Sequence, residues 1–314
     1  MTRLRILISE GNEQADRAIF TAHNGCAPSG MFEKLLHRLR PDIECEVLLT
    51  TDAGHEPQRP LSDYDGILFT GSNSNIHKMT EGTRRQIDFA RAAFDSGTPM
   101  FGICWGLQLA TVAAGGEVGP SQAEDCKCEA PFSFGVGLSD EGRGHPMHSG
   151  RPEVFDTFGF HSDQVTRLAP GSRVTARNRH FIQGVEITGT KSVFWGVQYH
   201  PELDGPDTAG FMRGSIQELV DGEVYSSLDA IQAVAEALDR FAPNSSPTEA
   251  DMALFGPLDL SSFDFRPIEL MNWLDLMVLP AQRKRISAEQ PVRDHFPQQR
   301  SEECFFGSQE EQML

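Results

Sequence analysis

Seven consecutive residues, Gly102-Ile103-Cys104-Trp105-Gly106-Leu107-Gln108, constrain this chain more than any other stretch. Thr98 to Ile103 reads as a short buried strand. Leu107, Leu109, Ala110, Val112, Ala113 and Ala114 read as a helix that ends at Gly115-Gly116. Cys104 therefore falls on a strand-to-helix turn. Glycines two positions before and two after it permit the strained backbone and close packing that such an elbow demands. A thiol there is lifted off the sheet and set at a helix N-terminus, where unpaired N–H groups and the macrodipole favour a thiolate. That placement suits a nucleophile, whereas a free cysteine elsewhere is by default inert packing.

A nucleophile of this kind needs a base. The apolar strand Val193-Phe-Trp-Gly-Val-Gln-Tyr199 delivers His200-Pro201-Glu202 at its end. His200 alone reads as a strand-end histidine. Beside the elbow it reads as the acceptor of the thiol proton, with Glu202, brought alongside by the turn at Pro201, fixing its tautomer and stabilising the imidazolium.

Gly102-Ile-Cys-Trp-Gly-Leu-Gln108 together with Gln198-Tyr-His-Pro-Glu202 resembles the class I (triad) glutamine amidotransferases, nearest to free-standing members similar to the glutaminase domain of GMP synthetase. Tyr64-Asp-Gly-Ile-Leu-Phe-Thr-Gly71 is similar to that family's strand and glycine loop. Gly159-Phe-His-Ser162-Asp163 is similar to the segment that clasps the amino-acid end of glutamine. The resemblance covers about residues 1–205. It implies an α/β fold, flavodoxin-like, with a mostly parallel central sheet, helices on both faces and an antiparallel extension. It also implies hydrolysis of the glutamine side-chain amide through a γ-glutamyl thioester, with Cys104, His200 and Glu202 as the triad and no cofactor or metal.

The oxyanion is expected to meet the backbone N–H groups of Gly71 and Trp105. Gln108, one helical turn beyond Cys104 on the same face, is expected to reach the substrate. Phe160, His161 and Ser162 are expected to hold its α-amino and α-carboxylate groups. Two other readings stand beside this one. A γ-glutamyl hydrolase or peptidase would use the same site with more room for the leaving amine, and a non-catalytic binding module would leave the triad idle. If ammonia is passed on, a synthetase on a separate chain is expected to dock over the rim at residues 121–150.

Composition narrows the partners. A net charge of −18 disfavours a phosphate-tracking nucleic-acid surface, and the largest basic cluster is Arg283-Lys284-Arg285. No apolar run approaches a membrane span. Six cysteines without a framework pattern make a reducing cytoplasm the default setting. Cys126-Lys-Cys128 with His145 and His148 lacks zinc-ligand spacing.

In chain order, Leu4–Ile8, Ile43–Leu49 and Asp65–Thr70 read as strands, and Ser29 reads as the cap of a helix that stops before Pro41. Glu81–Ser96 reads as an amphipathic helix. Val154–Phe160, Arg173–Ala176, Phe181–Ile187 and Val193–Tyr199 read as the antiparallel extension. Thr208–Leu219 and Ser227–Phe241 read as helices, the second capped by Ser226 or Ser227. The expected organisation is a catalytic domain over 1–242, a helical extension over 243–280 packed on it, and a loosely held polar tail over 281–314. Within the extension, Pro267–Pro280 reads as one apolar helix bounded by its prolines, and Pro243–Pro247 as a short linker.

Overall fold

In a computed structural model of the chain, residues 3–289 are described, apart from 223, 243, 244 and 246. The expected linker at 243–247 and the part of the expected tail beyond 289 thus lie wholly or partly outside the described residues. The first half comprises β1 (Arg5–Ser9), α1 (Gln14–Asn24), α2 (Pro28–Leu39), β2 (Glu44–Leu48), β3 (Gly66–Phe69), α3 (Glu81–Ser96), β4 (Met100–Ile103) and α4 (Trp105–Ala113). Next come β5 (Glu117–Pro120), β6 (Phe132–Leu138), β7 (Val154–Phe158), β8 (Asp163–Arg167), β9 (Ser172–Arg177), β10 (Ile182–Thr188) and β11 (Val193–Val197). Helices α5 (Gly205–Gly214), α6 (Ile216–Asp221), α7 (Leu228–Arg240), α8 (Glu249–Phe255), α9 (Ile268–Trp273) and α10 (Leu279–Glu289) complete it.

Nine strands form one sheet in the order β2-β1-β3-β4-β11-β10-β9-β6-β7. From β2 to β11 every pairing is parallel; from β11 to β7 every pairing is antiparallel. Alternation along the strands explains the two-sided cover. Ile6, Ile8 and Trp195 face a core completed by Phe32 and Leu36 of α2 and by Leu270 and Trp273 of α9. Leu7, Phe69 and Phe194 face the other core, against Ile87 and Ala90 of α3 and Leu107 and Ala110 of α4. A third cluster joins Phe132 and Phe158 to α5, α7 and α8. No helix among the described residues is long and apolar enough to cross a membrane.

Several local expectations give way to stronger constraints. Helix α2 starts at Pro28 with Ala27 at the N-cap, so Ser29 lies inside it. The Ser29 N–H is taken 2.8 Å away by the buried carboxylate of Glu10, a cap supplied from another element. Helix α1 escapes the sequence reading because Phe20 is its one buried residue. The expected helix at 208–219 begins earlier, at Gly205, where Asp204 and Asp207 form a capping box, and breaks at Ser215. Ser227 does cap α7, accepting from the Ala230 N–H.

The apolar helix from Pro267 does not stop at Pro280. A π-turn over Leu274–Val278, closed by Leu279 N–H to the Leu274 carbonyl, shifts the helical register just before the proline. The chain continues as α10, so 281–289 is helix where a loose tail was expected. Gln282 Nε2 donates to the Arg3 carbonyl at 3.2 Å and to Asp65 at 3.0 Å, and Arg285 pairs with Asp65. Across the sheet, Trp273 fills the space above Gly66, where a Cβ would come 2.7 Å from the indole ring. Burying side chains such as Leu270, Trp273 and Val278 contributes about 1.5–3 kcal/mol each.

Candidate active site

The elbow owes its shape to its two glycines. A Cβ at Gly102 would lie 2.7 Å from the backbone of Gly106, and one at Gly106 would lie 2.5 Å from the Phe69 carbonyl oxygen. Only bare backbone lets α4 seat this closely on β3 and β4. Cys104 itself has φ 51° and ψ −106°, a conformation a side-chain-bearing residue adopts at a cost. Its N–H is anchored to the Val197 carbonyl at 2.8 Å, which locks the elbow to the strand carrying the base.

His200 Nδ1 stands 2.7 Å from Glu202 Oε1, with both side chains buried. Nε2 is buried and has no hydrogen-bond partner among the described residues. Burial by itself would depress the imidazole, but the Glu202 carboxylate and the Cys104 sulfur outweigh it and hold His200 at about 10. That raised value favours the protonated imidazole at neutral pH. A Cβ at Gly71 would stand 3.2 Å from His200 Cε1 and 3.9 Å from Cys104 Cβ, so the glycine loop after β3 meets both residues. Trp105 occupies the first position of α4, where the N–H has no partner within the helix.

These residues open into a cavity of about 470 Å³, lined by Cys104, Gln108, His200, the loop Ser72–Asn75 and the segment Phe160–Asp163. Phe211 of α5 closes one side, its ring 5.7 Å from the His200 ring. The Cys104 Sγ donates toward the Phe160 carbonyl at 3.7 Å. Gln108 lines the cavity, but its Nε2 is spent on the Asp163 carbonyl and Gln198 Oε1, both at 3.1 Å. Its amide nitrogen thus braces the wall instead of reaching outward. Ser162 contributes its carbonyl to the Ser121 N–H.

His161 is not a second base. Its Nε2 lies 2.9 Å from Glu129 and its Nδ1 lies 3.2 Å from the Asp163 carbonyl, so both ring nitrogens face acceptors. Sequence reading missed Glu129, which is the hub of this wall. Its carboxylate also accepts from Ser133, Asn178 and Gln183, and its backbone bridges to His161. Burial works to raise the Glu129 carboxyl, yet His161 and the hydroxyl and amide donors hold it below its ordinary value. A glutamate in Cys-Glu-Ala-Pro carries no periodic signal that would have marked it.

The segment 121–150 divides. Ser121, Lys127 and Cys128 line the cavity, whereas Phe132–Leu138 is sheet. His145 pairs with Glu186, and His148 bonds Thr175, so these histidines are engaged away from Cys126 and Cys128. Among the described residues, no group of three or more His, Cys, Asp or Glu is placed to hold a metal ion.

Compared with known proteins, residues 28–210 match the family Glutamine amidotransferase class-I. The chain is 52% identical over 285 residues to a γ-glutamyl-L-1-hydroxyisopropylamide hydrolase of a Pseudomonas species, covering 91% of this chain and 97% of that protein. It is 31% identical over 161 residues to the glutamine-hydrolysing GMP synthase of Thermomicrobium roseum, covering 51% of this chain and 27% of the synthase. In fold it is similar to a glutamine amidotransferase of Thermotoga maritima, with a TM-score of 0.59 at 16% identity over 88% of this chain and 99% of the other.

Proposed function

The chain belongs to the class-I glutamine amidotransferase family and is a C–N amide hydrolase, and from that premise we propose that it cleaves the γ-amide bond of small γ-glutamyl amines. The observation that carries this reading is the likeness to a γ-glutamyl amide hydrolase over 97% of that protein's length, against 27% of a GMP synthase. A match over 91% of this chain extends into the C-terminal helices packed under the sheet. The cavity, at about 470 Å³, falls within the range of small-ligand sites and gives a leaving amine larger than ammonia somewhere to go.

In this mechanism the Cys104 thiolate attacks the γ-carbonyl carbon. The oxyanion is received by the N–H groups of Gly71 and Trp105. His200, protonated at the outset, gives its Nε2 proton to the departing amine as the C–N bond breaks and a γ-glutamyl thioester forms. Water then attacks the thioester, its proton passing to His200, and the tetrahedral intermediate collapses with cleavage of the C–S bond, releasing the γ-carboxyl of glutamate and restoring the Cys104 thiolate beside protonated His200. Glu202 holds the imidazole by Nδ1 throughout. Phe160, His161 and Ser162, braced by Glu129 and Gln108, form the wall that receives the glutamyl end.

A second reading is favoured by the likeness to the glutamine-hydrolysing GMP synthase. Here glutamine is the substrate, and ammonia passes to a synthetase on a separate chain docked over the rim at residues 121–150, of which Ser121, Lys127 and Cys128 line the cavity. One experiment separates the two: kcat/KM of the purified chain on L-glutamine and on the γ-glutamyl amide of a small amino alcohol. Preference for the larger amide is the expected result. Preference for glutamine, with turnover raised by a synthetase encoded beside it, would overturn the hydrolase reading.

A further inference from the structure

The C-terminal extension grips the chain on both sides of the His200–Glu202 turn. One residue before the base, the Tyr199 hydroxyl donates to Glu269 Oε1 of α9 at 2.7 Å. One residue after Glu202, the Leu203 carbonyl accepts from the Arg266 guanidinium. Neither anchor is a loose surface contact. Glu269 is fully buried and held by Arg151 through two hydrogen bonds of 2.8 and 2.6 Å, and Tyr199 is fully buried with its ring edge-on to Phe155 at 5.5 Å. The Arg266 guanidinium lies 5.5 Å from the centre of the Phe158 ring, and the Phe158 carbonyl takes the His200 N–H at 2.8 Å.

We propose that Glu269 and Arg266 are positioning residues: by clamping Tyr199 and Leu203 they set where His200 and Glu202 stand relative to Cys104. The inference rests on the triad reading above. The Tyr199–Glu269 bond lies in a water-excluded core and is stiff, because its groups have no competing solvent partners, while the half-buried Arg266 is held by its ring contact with Phe158. The backbone between the two anchors is five residues long, Tyr199 to Leu203, and carries both the base and its orienting carboxylate. Displacement of a reacting group by an ångström can cost about a hundredfold in rate, so loosening either anchor acts on turnover before it acts on binding. The extension is on this account part of the catalytic apparatus, acting through the backbone and touching no substrate.

The test compares Tyr199→Phe and Arg266→Gln with Asn272→Ala in the full chain. Asn272, also on α9, donates to the Met147 and Ser149 carbonyls at 2.9 Å each and, among the described residues, makes no hydrogen bond to Tyr199–Leu203, so its loss weakens the docking of the extension without cutting either anchor. Tyr199→Phe keeps the ring and the Glu269–Arg151 pair, which avoids leaving a buried charge unpaired. On whichever of L-glutamine and the amino-alcohol amide is turned over faster, kcat is expected to fall about tenfold or more for both clamp variants, with KM within about twofold. Arg266→Lys should recover part of the loss, and Asn272→Ala should lower Tm with kcat unchanged. Full kcat in both clamp variants, or losses no greater than those of Asn272→Ala at matched Tm, would overturn the clamp. Cys104→Ser is measured alongside. If it is inactive while the clamp variants run at full rate, the clamp fails alone; if it is active, the triad reading fails and the clamp with it.

Discussion

The nucleophile side of the cleft and the base side are held by different means. Cys104 takes its conformation from Gly102 and Gly106, within two positions of it, and from the helix that starts one residue on. His200 and Glu202 sit on a stretch tied down by hydrogen bonds that span 70 and 63 residues of sequence, to Glu269 and Arg266. A nucleophile on a strained turn is set by its immediate neighbours and by the seat they pack into, here the Phe69 backbone under Gly106 and the Val197 carbonyl that takes the Cys104 N–H. An acid–base pair needs direction more than strain, and direction can be supplied from across the fold. Damage to the first side should therefore arise in the elbow and the strands it seats on, whereas the second side is exposed to changes in the C-terminal extension as well.

The largest expected effect breaks the nucleophile side outright. Cys104→Ala should lower turnover by at least about 10³-fold while the melting transition stays in place, since a small residue fits the elbow. Turnover within tenfold of the native chain would remove Cys104 from the chemistry. Next is the elbow itself. Gly106→Ala places a Cβ 2.5 Å from the Phe69 carbonyl and 2.8 Å from its Cβ, and β3 is central and cannot yield. A loss of about 1–3 kcal/mol in denaturant titration is expected. An unchanged midpoint would show that the elbow is less tightly seated than its glycines imply.

The base side is sharpened by pH. His200 is raised from 6.5 to about 10 in the folded chain, by Glu202 and Cys104 against the opposing effect of burial. The stabilisation linked to that proton is fully present below 6.5 and is lost as pH rises through about 10. The descending limb of kcat/KM should fall there too. Glu202→Gln should move that limb to lower pH, because it removes a carboxylate at 2.7 Å. A limb that stays in place would mean that Glu202 does not supply the charge. The smallest effect is expected in α10, which does not carry either anchor. Gln282→Ala loses hydrogen bonds to Arg3 and Asp65 and should cost about 0.5–1.5 kcal/mol for each, with kcat unaltered. A fall in kcat would show that α10 also reaches the site.

Much of this was legible in advance where neighbours in sequence are neighbours in space. The strand-turn-helix at Cys104, the Glu81–Ser96 helix and the His-Pro-Glu ending are read from periodicity, glycine placement and turn chemistry, all of which act within a few residues. The strand β6 was not, because glycines and an irregularity between Ser133 and Val136 erase its alternation. Pro280 reads as a stop, whereas a π-turn packed against the sheet makes it part of a longer helix.

By itself the sequence determined an alternating α/β chain with a cysteine on a glycine elbow and a histidine and glutamate at a strand end. Steric limits and hydrophobic period are local properties, and no folding is needed to read them. The tertiary structure alone decided that Glu129 would meet His161, that Glu10 would cap α2, and that Glu269 and Arg266 would reach Tyr199 and Leu203. A buried polar group must find a partner, but nothing periodic in the chain says which of the distant donors and acceptors will be brought to it. That choice is made only when the helices close over the sheet.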